Sequence, residues 1–295
     1  LDLKANQSTT YTKTEVDTEI TNRSFGFKNH IINGGFDVWQ RGDIFSNISI
    51  QYTADRWYNQ TNGTSDIVKY FDNGKPFIGV TYKSGSYLNL YQLIERGINN
   101  LGGKTVTFSL YMRATVDFNC TLRLINRETS SAFSNTSHAV TTEWQRFNVT
   151  TVVPSTTSTS DQTLELTIGE FQQIGVGQTL FVKEVQLEEG SVATPFEQRP
   201  IGLELSLCQR YFRQVAYKWF GTAENLYIYG SSVPFGVEMR VSPTVVYSSA
   251  YGDQNGFNTP SIILTTSKSC VVVATATASG SNKQFGAIFN ASAEL

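Results

Sequence analysis

From about residue 29 to residue 197, apolar and polar residues alternate with a period of two, the signature of half-buried strands. Over residues 105–113, Val106, Phe108, Leu110 and Met112 fall on one face and Thr107, Ser109, Tyr111 and Arg113 on the other. Residues 120–124, 147–153 and 164–168 repeat the pattern. Between them lie turn-rich stretches such as Asn99-Asn100-Leu101-Gly102-Gly103 and a polar loop over 154–162. Across 180–187 the alternation slips, from Leu180 and Val182 to Val185 and Leu187, which predicts a β-bulge. Short strands in this number, with no helical pattern between them, predict a two-sheet sandwich or jelly roll.

The two ends read differently. In residues 1–28, Thr12 and Glu15 have capping-box spacing, and Val16 and Ile20 stand four apart on one face. A helix over 11–23 would make about three turns, too few to be stable alone. Tyr11, Val16 and Ile20 are therefore the candidates for a seam between identical helices of several chains. Pro195 and Pro200 mark a boundary, because neither fits a central strand. Beyond it Leu203, Leu207 and Tyr211 recur at helical spacing, and strands are expected at 225–229, 237–241, 244–247, 261–264, 270–276 and 285–289. The expected organisation is a shaft-end helix in 1–28, a jelly roll in 29–197 and a small antiparallel β domain in 198–295.

Composition narrows the function. Of 295 residues, 28 are Ser and 34 Thr, and only 16% are charged, against about 25% in an ordinary soluble domain. That mixture excludes a helix bundle and a long coiled coil. With 23 Lys+Arg against 25 Asp+Glu there is no excess charge to neutralise phosphates, so no nucleic-acid partner is expected. No apolar run approaches the ~18 residues of a membrane helix, so no membrane insertion is expected. Cys120, Cys208 and Cys270 are widely spaced and lack the pairing of a zinc cage, so they read as reduced core thiols of a chain folded in a reducing cytoplasm. Nine Asn-x-Ser/Thr sequons follow from the abundance of those residues, and the first residues lack the apolar core of a signal peptide. A start at Leu1 rather than Met reads as a piece of a longer chain.

The search for chemistry returns little. Neither His30 nor His138 has a metal-ligand partner nearby, and His138 reads as a solvated loop residue. There is no nucleophile elbow, phosphate-binding loop or complete dinucleotide fingerprint, so no cofactor and no catalytic residue are expected. Asp37, Asp55, Glu95, Glu165 and Glu184 lie near strands and leave a glycosidase pair open, while Glu188-Glu189 reads as closing a surface turn. Aromatic residues say more. Trp39, Trp57, Tyr58, Tyr70, Phe71, Tyr82, Tyr87 and Tyr91 crowd the sandwich. Trp39 and Trp57 have the apolar neighbours of core residues, yet flat rings among Asn, Gln and Asp also suit sugars. The candidate receptor or glycan contacts are Trp219, Tyr227, Tyr229, Tyr247, Tyr251, Asp253, Asn255 and Phe257, several of them in a loop of alternating aromatic and polar residues.

Several stretches resemble bacteriophage tail fibres. Residues 3–17, Leu-Lys-Ala-Asn-Gln-Ser-Thr-Thr-Tyr-Thr-Lys-Thr-Glu-Val-Asp, are similar to a repeat of fibre shafts. Asn33-Gly34-Gly35-Phe36-Asp37-Val38-Trp39-Gln40-Arg41-Gly42, followed by Tyr52-Thr53-Ala54-Asp55-Arg56-Trp57, resembles the opening of fibre domains related to carbohydrate-binding jelly rolls. Val185-Gln186-Leu187-Glu188-Glu189-Gly190, Ala193-Thr194-Pro195-Phe196-Glu197 and Cys208-Gln209-Arg210-Tyr211-Phe212 resemble the passage from such a domain to the fibre tip, and residues 289–295 the fibre end. The resemblance implies a homotrimeric virion protein, assembled in the host cytoplasm and joined to the rest of the tail by its amino-terminal side. Its tip would adhere to a bacterial surface polysaccharide or lipopolysaccharide. Jelly rolls of this shape often hold calcium, for which Asp37 and Glu184 are the nearest matches; because 182–185 lacks the usual acidic pair, no metal is expected. The alternatives are a fibre-borne polysaccharide hydrolase or deacetylase, and a monomeric carbohydrate-binding module.

Overall fold

The computed structural model describes residues 27–169, 171–251 and 255–295. The segment expected to form the trimerising helix, with Tyr11, Val16 and Ile20, lies outside them, as does Asp253.

The first domain is an antiparallel β-sandwich. Its strands are β1 (Ile44–Tyr52), β2 (Tyr58–Asp72), β3 (Lys75–Ser84), β4 (Leu88–Ile94), β5 (Thr105–Ala114), β6 (Phe118–Asn126), β7 (Ser131–Val140), β8 (Gln145–Val152), β9 (Leu164–Gly169) and β10 (Thr179–Glu189). They follow the order β7-β6-β9-β4-β2-β3-β10-β5-β8, with β1 beside β2. β2 serves both layers: Tyr58–Thr61 pairs with β4 and Thr64–Asp72 with β3. Gly63 lies between those two stretches, where a Cβ would come within 2.1 Å of the Ser84 carbonyl oxygen. No other residue fits so close an approach.

The alternation seen in the sequence becomes the core. Val106, Phe108, Leu110 and Met112 of β5 pack in one cluster with Cys120, Leu122 and Leu124 of β6 and Leu164, Leu166 and Ile168 of β9. Trp39 and Trp57 join the same cluster. The expected bulge lies in β10, whose register against β5 shifts between Lys183 and Gln186 around Glu184 at φ 53°. All three cysteines are buried and none is in a disulfide.

A short helix, α1 (Gly97–Leu101), interrupts the sandwich. After it, α2 (Ile201–Gln209) leads into the second domain, with β11 (Phe212–Ala223), β12 (Ile228–Pro234), β13 (Thr244–Ala250), β14 (Ser261–Thr265), β15 (Ser269–Thr275) and β16 (Gly280–Ser292). They form two three-stranded sheets, β11-β16-β13 and β12-β15-β14. Val272 and Ala274 pack against Phe285, Phe289 and Met239 in a separate core.

The structure corrects several readings. Residues 237–241 are not a strand: Gly236 turns at φ 76°, Pro243 follows, and Met239 instead anchors the loop, donating its N–H to the Ser267 carbonyl at 2.8 Å. Residues 225–227 precede β12 as a turn, with Leu226 at φ 71°. His138 is a strand residue, paired across from Cys120 and packed edge-on against Phe147 at 5.4 Å, and burial pushes its pKa down. Glu188 is buried rather than on a turn, because the chain over 190–197 folds back across it. It accepts hydrogen bonds from Gln186 Nε2 at 2.8 Å and Thr194 N at 2.9 Å.

The two domains are locked by charged side chains. Arg56 is fully buried and pairs with Glu294, and its guanidinium lies 3.6 Å from the centre of the Tyr211 ring. Arg41 bridges Asp55 and Glu294, at 3.0 Å from each, and stacks on Phe212 at 3.5 Å. Arg210 and the Tyr211 hydroxyl both reach Glu95, at 3.1 and 2.9 Å. Gln40 Nε2 donates to the Phe212 carbonyl at 2.8 Å.

Burial raises the Asp55 pKa from 3.8 to about 6, against the pull of Arg41 and of the Gln40 N–H. The unfolded chain gives up this proton at lower pH than the folded one. The Asp55 contribution to stability is therefore greatest below about pH 4 and is lost as pH rises towards 6. Asp55→Asn, neutral throughout, is expected to abolish that slope. The check is the wild-type minus variant difference in urea midpoint at pH 4, 5, 6 and 7; a constant difference would refute it.

Candidate functional site

In an antiparallel sheet, residues directly opposite one another share a face. On the face of the β1-β2-β4-β9-β6-β7 layer turned away from the core, one row of partners crosses all six strands. It runs Tyr52, Tyr58, Tyr91, Thr167, Arg123, Asn135. At about 4.8 Å per strand, five steps give a ladder about 24 Å long. The row exists because Leu90, Leu122, Leu124, Leu166 and Ile168 take the core positions and leave the intervening residues to the other face.

One end of the ladder is aromatic. Tyr58 lies between two other rings, 4.8 Å from Tyr52 and 5.0 Å from Tyr91. Tyr58 is half-buried, whereas Tyr91 is nearly covered. Burial pushes the Tyr52 and Tyr91 hydroxyls well above the usual tyrosine range, so both stay protonated, and Tyr52 donates to the Leu295 carbonyl at 3.2 Å. The other end is polar. Arg123 Nη2 donates to Asn89 Oδ1 at 3.0 Å. Beside the row, Glu165 pairs with Arg127 at 2.8 Å and accepts from the Thr167 hydroxyl at 2.7 Å. At Gly169 a Cβ would meet Arg123 Nη2 at 2.5 Å and Asn89 Oδ1 at 2.6 Å, so this position keeps the polar end open. Fixed donors and acceptors beside flat apolar rings are what a ring with one apolar face and a rim of hydroxyls requires.

The residues singled out in the second domain are divided by the structure. Trp219, Tyr229 and Phe257 pack together around Phe285, with Trp219 4.9 Å from Tyr229 and Phe257 4.9 Å from Phe285. Phe257 is thus a core residue rather than part of an exposed loop, and Trp219 and Tyr229 are half-buried. Tyr227, Tyr247 and Tyr251 are exposed. Asn255 bridges to Gln284 through its backbone and donates from its side chain to the Asn282 carbonyl at 3.1 Å. These residues form no single array.

The carboxylates are similarly dispersed. Asp55, Glu95 and Glu165 are each paired with an arginine. Asp37 and Glu184 do line one cavity of about 320 Å³, but Lys75 and Lys183 line it too, and Lys75 lies 3.7 Å from Glu184. Two ammonium groups beside two carboxylates fit a calcium ion poorly. Among the described residues, no group of three or more His, Cys, Asp or Glu gathers as metal ligands would.

No family model and no curated protein matches this chain. Similar solved structures include one described as "CBM4 structure and function", with a TM-score of 0.38 and 16% identity over 54% of this chain and 98% of that one. TmCBM61 in complex with beta-1,4-galactotriose has a TM-score of 0.37 and 12% identity over 56% of this chain and 100% of that one. The enzymatically active domain of bacteriophage CBA120 tailspike protein 4 has a TM-score of 0.33 and 12% identity, over 55% of this chain and 21% of that one. Each resembles part of this chain, and nothing of its ligand or activity transfers with that resemblance.

Proposed function

We propose that this chain binds a neutral glycan along the tyrosine-to-arginine ladder, as the host-adhering part of a bacteriophage tail fibre. The ladder carries the glycan reading: the half-buried rings of Tyr52 and Tyr58 at one end and Arg123 and Asn135 at the other, in one register across the buried Tyr91 and Thr167, suit a chain of sugar rings rather than one compact ligand. The fibre reading rests on the resemblance of residues 3–17, 33–42, 52–57, 185–190, 193–197, 208–212 and 289–295 to such proteins. On it, three copies join through the seam of Tyr11, Val16 and Ile20, and the protein works in the virion by adhesion and not by catalysis. Individually weak contacts repeated threefold gain avidity on the order of 10²–10⁴.

Two measurements test these readings. Native gels cast with galactan, xylan or mixed-linkage β-glucan are expected to retard the protein; equal mobility in all three and in a blank gel counts against glycan binding. Light scattering is expected to give about three times 32.8 kDa. The second reading, a monomeric carbohydrate-binding module, is favoured by the whole ladder lying on one chain, and a mass near 32.8 kDa with retention intact would establish it.

A further inference from the structure

The sandwich has a second outer face, on the layer formed by β2, β3, β10, β5 and β8. Ile78 and Val80 of β3, Leu180 and Val182 of β10, and Leu110 and Met112 of β5 point into the core. Alternation therefore turns Gly79, Phe181 and Arg113 out of the other side. Those three are direct partners in one row. A Cβ at Gly79 would stand 2.5 Å from the Tyr70 ring and 3.2 Å from the Phe181 ring, so the glycine lets both rings lie across β3. Tyr70 and Phe181 meet edge to face there, 5.5 Å apart, and Tyr70 is exposed.

Arg113 is the unusual member. Its guanidinium carbon lies 4.5 Å from the centre of the Phe181 ring and 5.3 Å from that of Trp144. Arg41, Arg56, Arg127 and Arg210 each pair with a carboxylate. Arg113 has neither an ion pair nor a hydrogen bond among the described residues. Its Nε is buried, but the residue is only half-buried and its two terminal nitrogens open to the surface. Aromatic rings attract the charge of a guanidinium and hold it in place, yet they leave its N–H fork without acceptors. A planar fork held this way matches the two oxygens of a carboxylate. Lys183 adds a second positive charge, 4.2 Å from the centre of the Trp144 ring, with the exposed Asp72 as its partner at 3.4 Å.

We infer that this face binds an acidic glycan: the carboxylate of a uronic acid unit accepts hydrogen bonds from the two terminal nitrogens of Arg113, and the sugar ring lies against Tyr70. The site stands on the opposite side of the sandwich from the ladder and takes a different class of sugar. It needs neither the ladder nor its neutral ligand, so the two readings fail separately.

The test uses the full chain in native gels cast with polygalacturonate, run beside the neutral polysaccharide gels. Wild type is expected to be retarded by polygalacturonate, and less so as salt rises from about 0.05 to 0.3 M. Arg113→Gln is expected to weaken that retardation at least about tenfold. It should leave the neutral gels and the melting temperature unchanged, because Arg113 makes no hydrogen bond or ion pair within the fold. Arg113→Lys keeps the charge without the fork and should restore only part of the loss. Lys218→Gln removes one positive charge from an exposed position on β11, away from the site, and should behave as wild type. Equal losses from Arg113→Gln and Lys218→Gln would reduce the effect to overall charge and overturn the site, as would wild type running freely in polygalacturonate. Retardation by polygalacturonate alone, lost in Arg113→Gln, would uphold this site while the ladder falls.

Discussion

Glu294→Ala is expected to destabilise the docked pair of domains by about 3–5 kcal/mol, the usual cost of removing one member of a buried ion pair. The side chains of Arg56 and Glu294 are only 1% and 6% exposed. Without Glu294, Arg56 keeps the Leu93 carbonyl and the Tyr211 ring but no counter-charge, and Arg41 keeps only Asp55. Removing the carboxylate leaves the buried Arg56 without a counter-charge and takes one of two partners from Arg41, which is why the effect should exceed that of any exposed pair such as Lys268 with Glu238. The measurement is urea unfolding followed by tryptophan fluorescence, which reports both domains through Trp57 and Trp219. A midpoint equal to wild type would mean that the junction is not held by this network.

Tyr58→Ala is expected to lower glycan affinity about 30-fold, the effect of losing a central aromatic contact worth about 2 kcal/mol. Tyr58 is the middle ring of the three and the more exposed of the pair it forms with Tyr91. Tyr58→Phe keeps the ring face and should stay within about threefold of wild type. Affinity electrophoresis of both variants decides the matter. Equal losses from Phe and Ala would shift the contact from the ring to the hydroxyl, and no loss from Ala would remove the ladder from the site.

The first domain was legible because its strands bury one face and expose the other, so a period of two survives in the sequence, as in residues 105–113. The bulge at Glu184 was legible for the same reason. Strands whose two faces are both mixed left a weaker trace. β11 carries Trp219 and Phe220 side by side, one half-buried and one exposed, and no strand was anticipated there. β7 hid behind Ser134-Asn135-Thr136-Ser137, a polar run that reads as a loop although its Ser134 is buried on the sheet. The ladder was half visible. Tyr58 and Tyr91 stood out as aromatics, but Tyr52, Thr167, Arg123 and Asn135 join them only through pairings between residues up to 76 apart, counted from 91 to 167. Residue type marks an aromatic; only register says which face and which row it occupies.

The position of β16 in chain order bears on how the protein is made. This strand is central to its sheet, flanked by β11 and β13, and it contributes Phe285 and Phe289 to the core that covers Trp219 and Phe257. During synthesis the sandwich can close once β10 has emerged, because none of its strands waits for a later one. The second domain has no such freedom: β11 and β13 have no hydrogen-bonded neighbour until β16 arrives. For that interval Trp219, Phe257 and two unpaired strand edges are open to any other nascent chain, a window in which misassociation competes with folding.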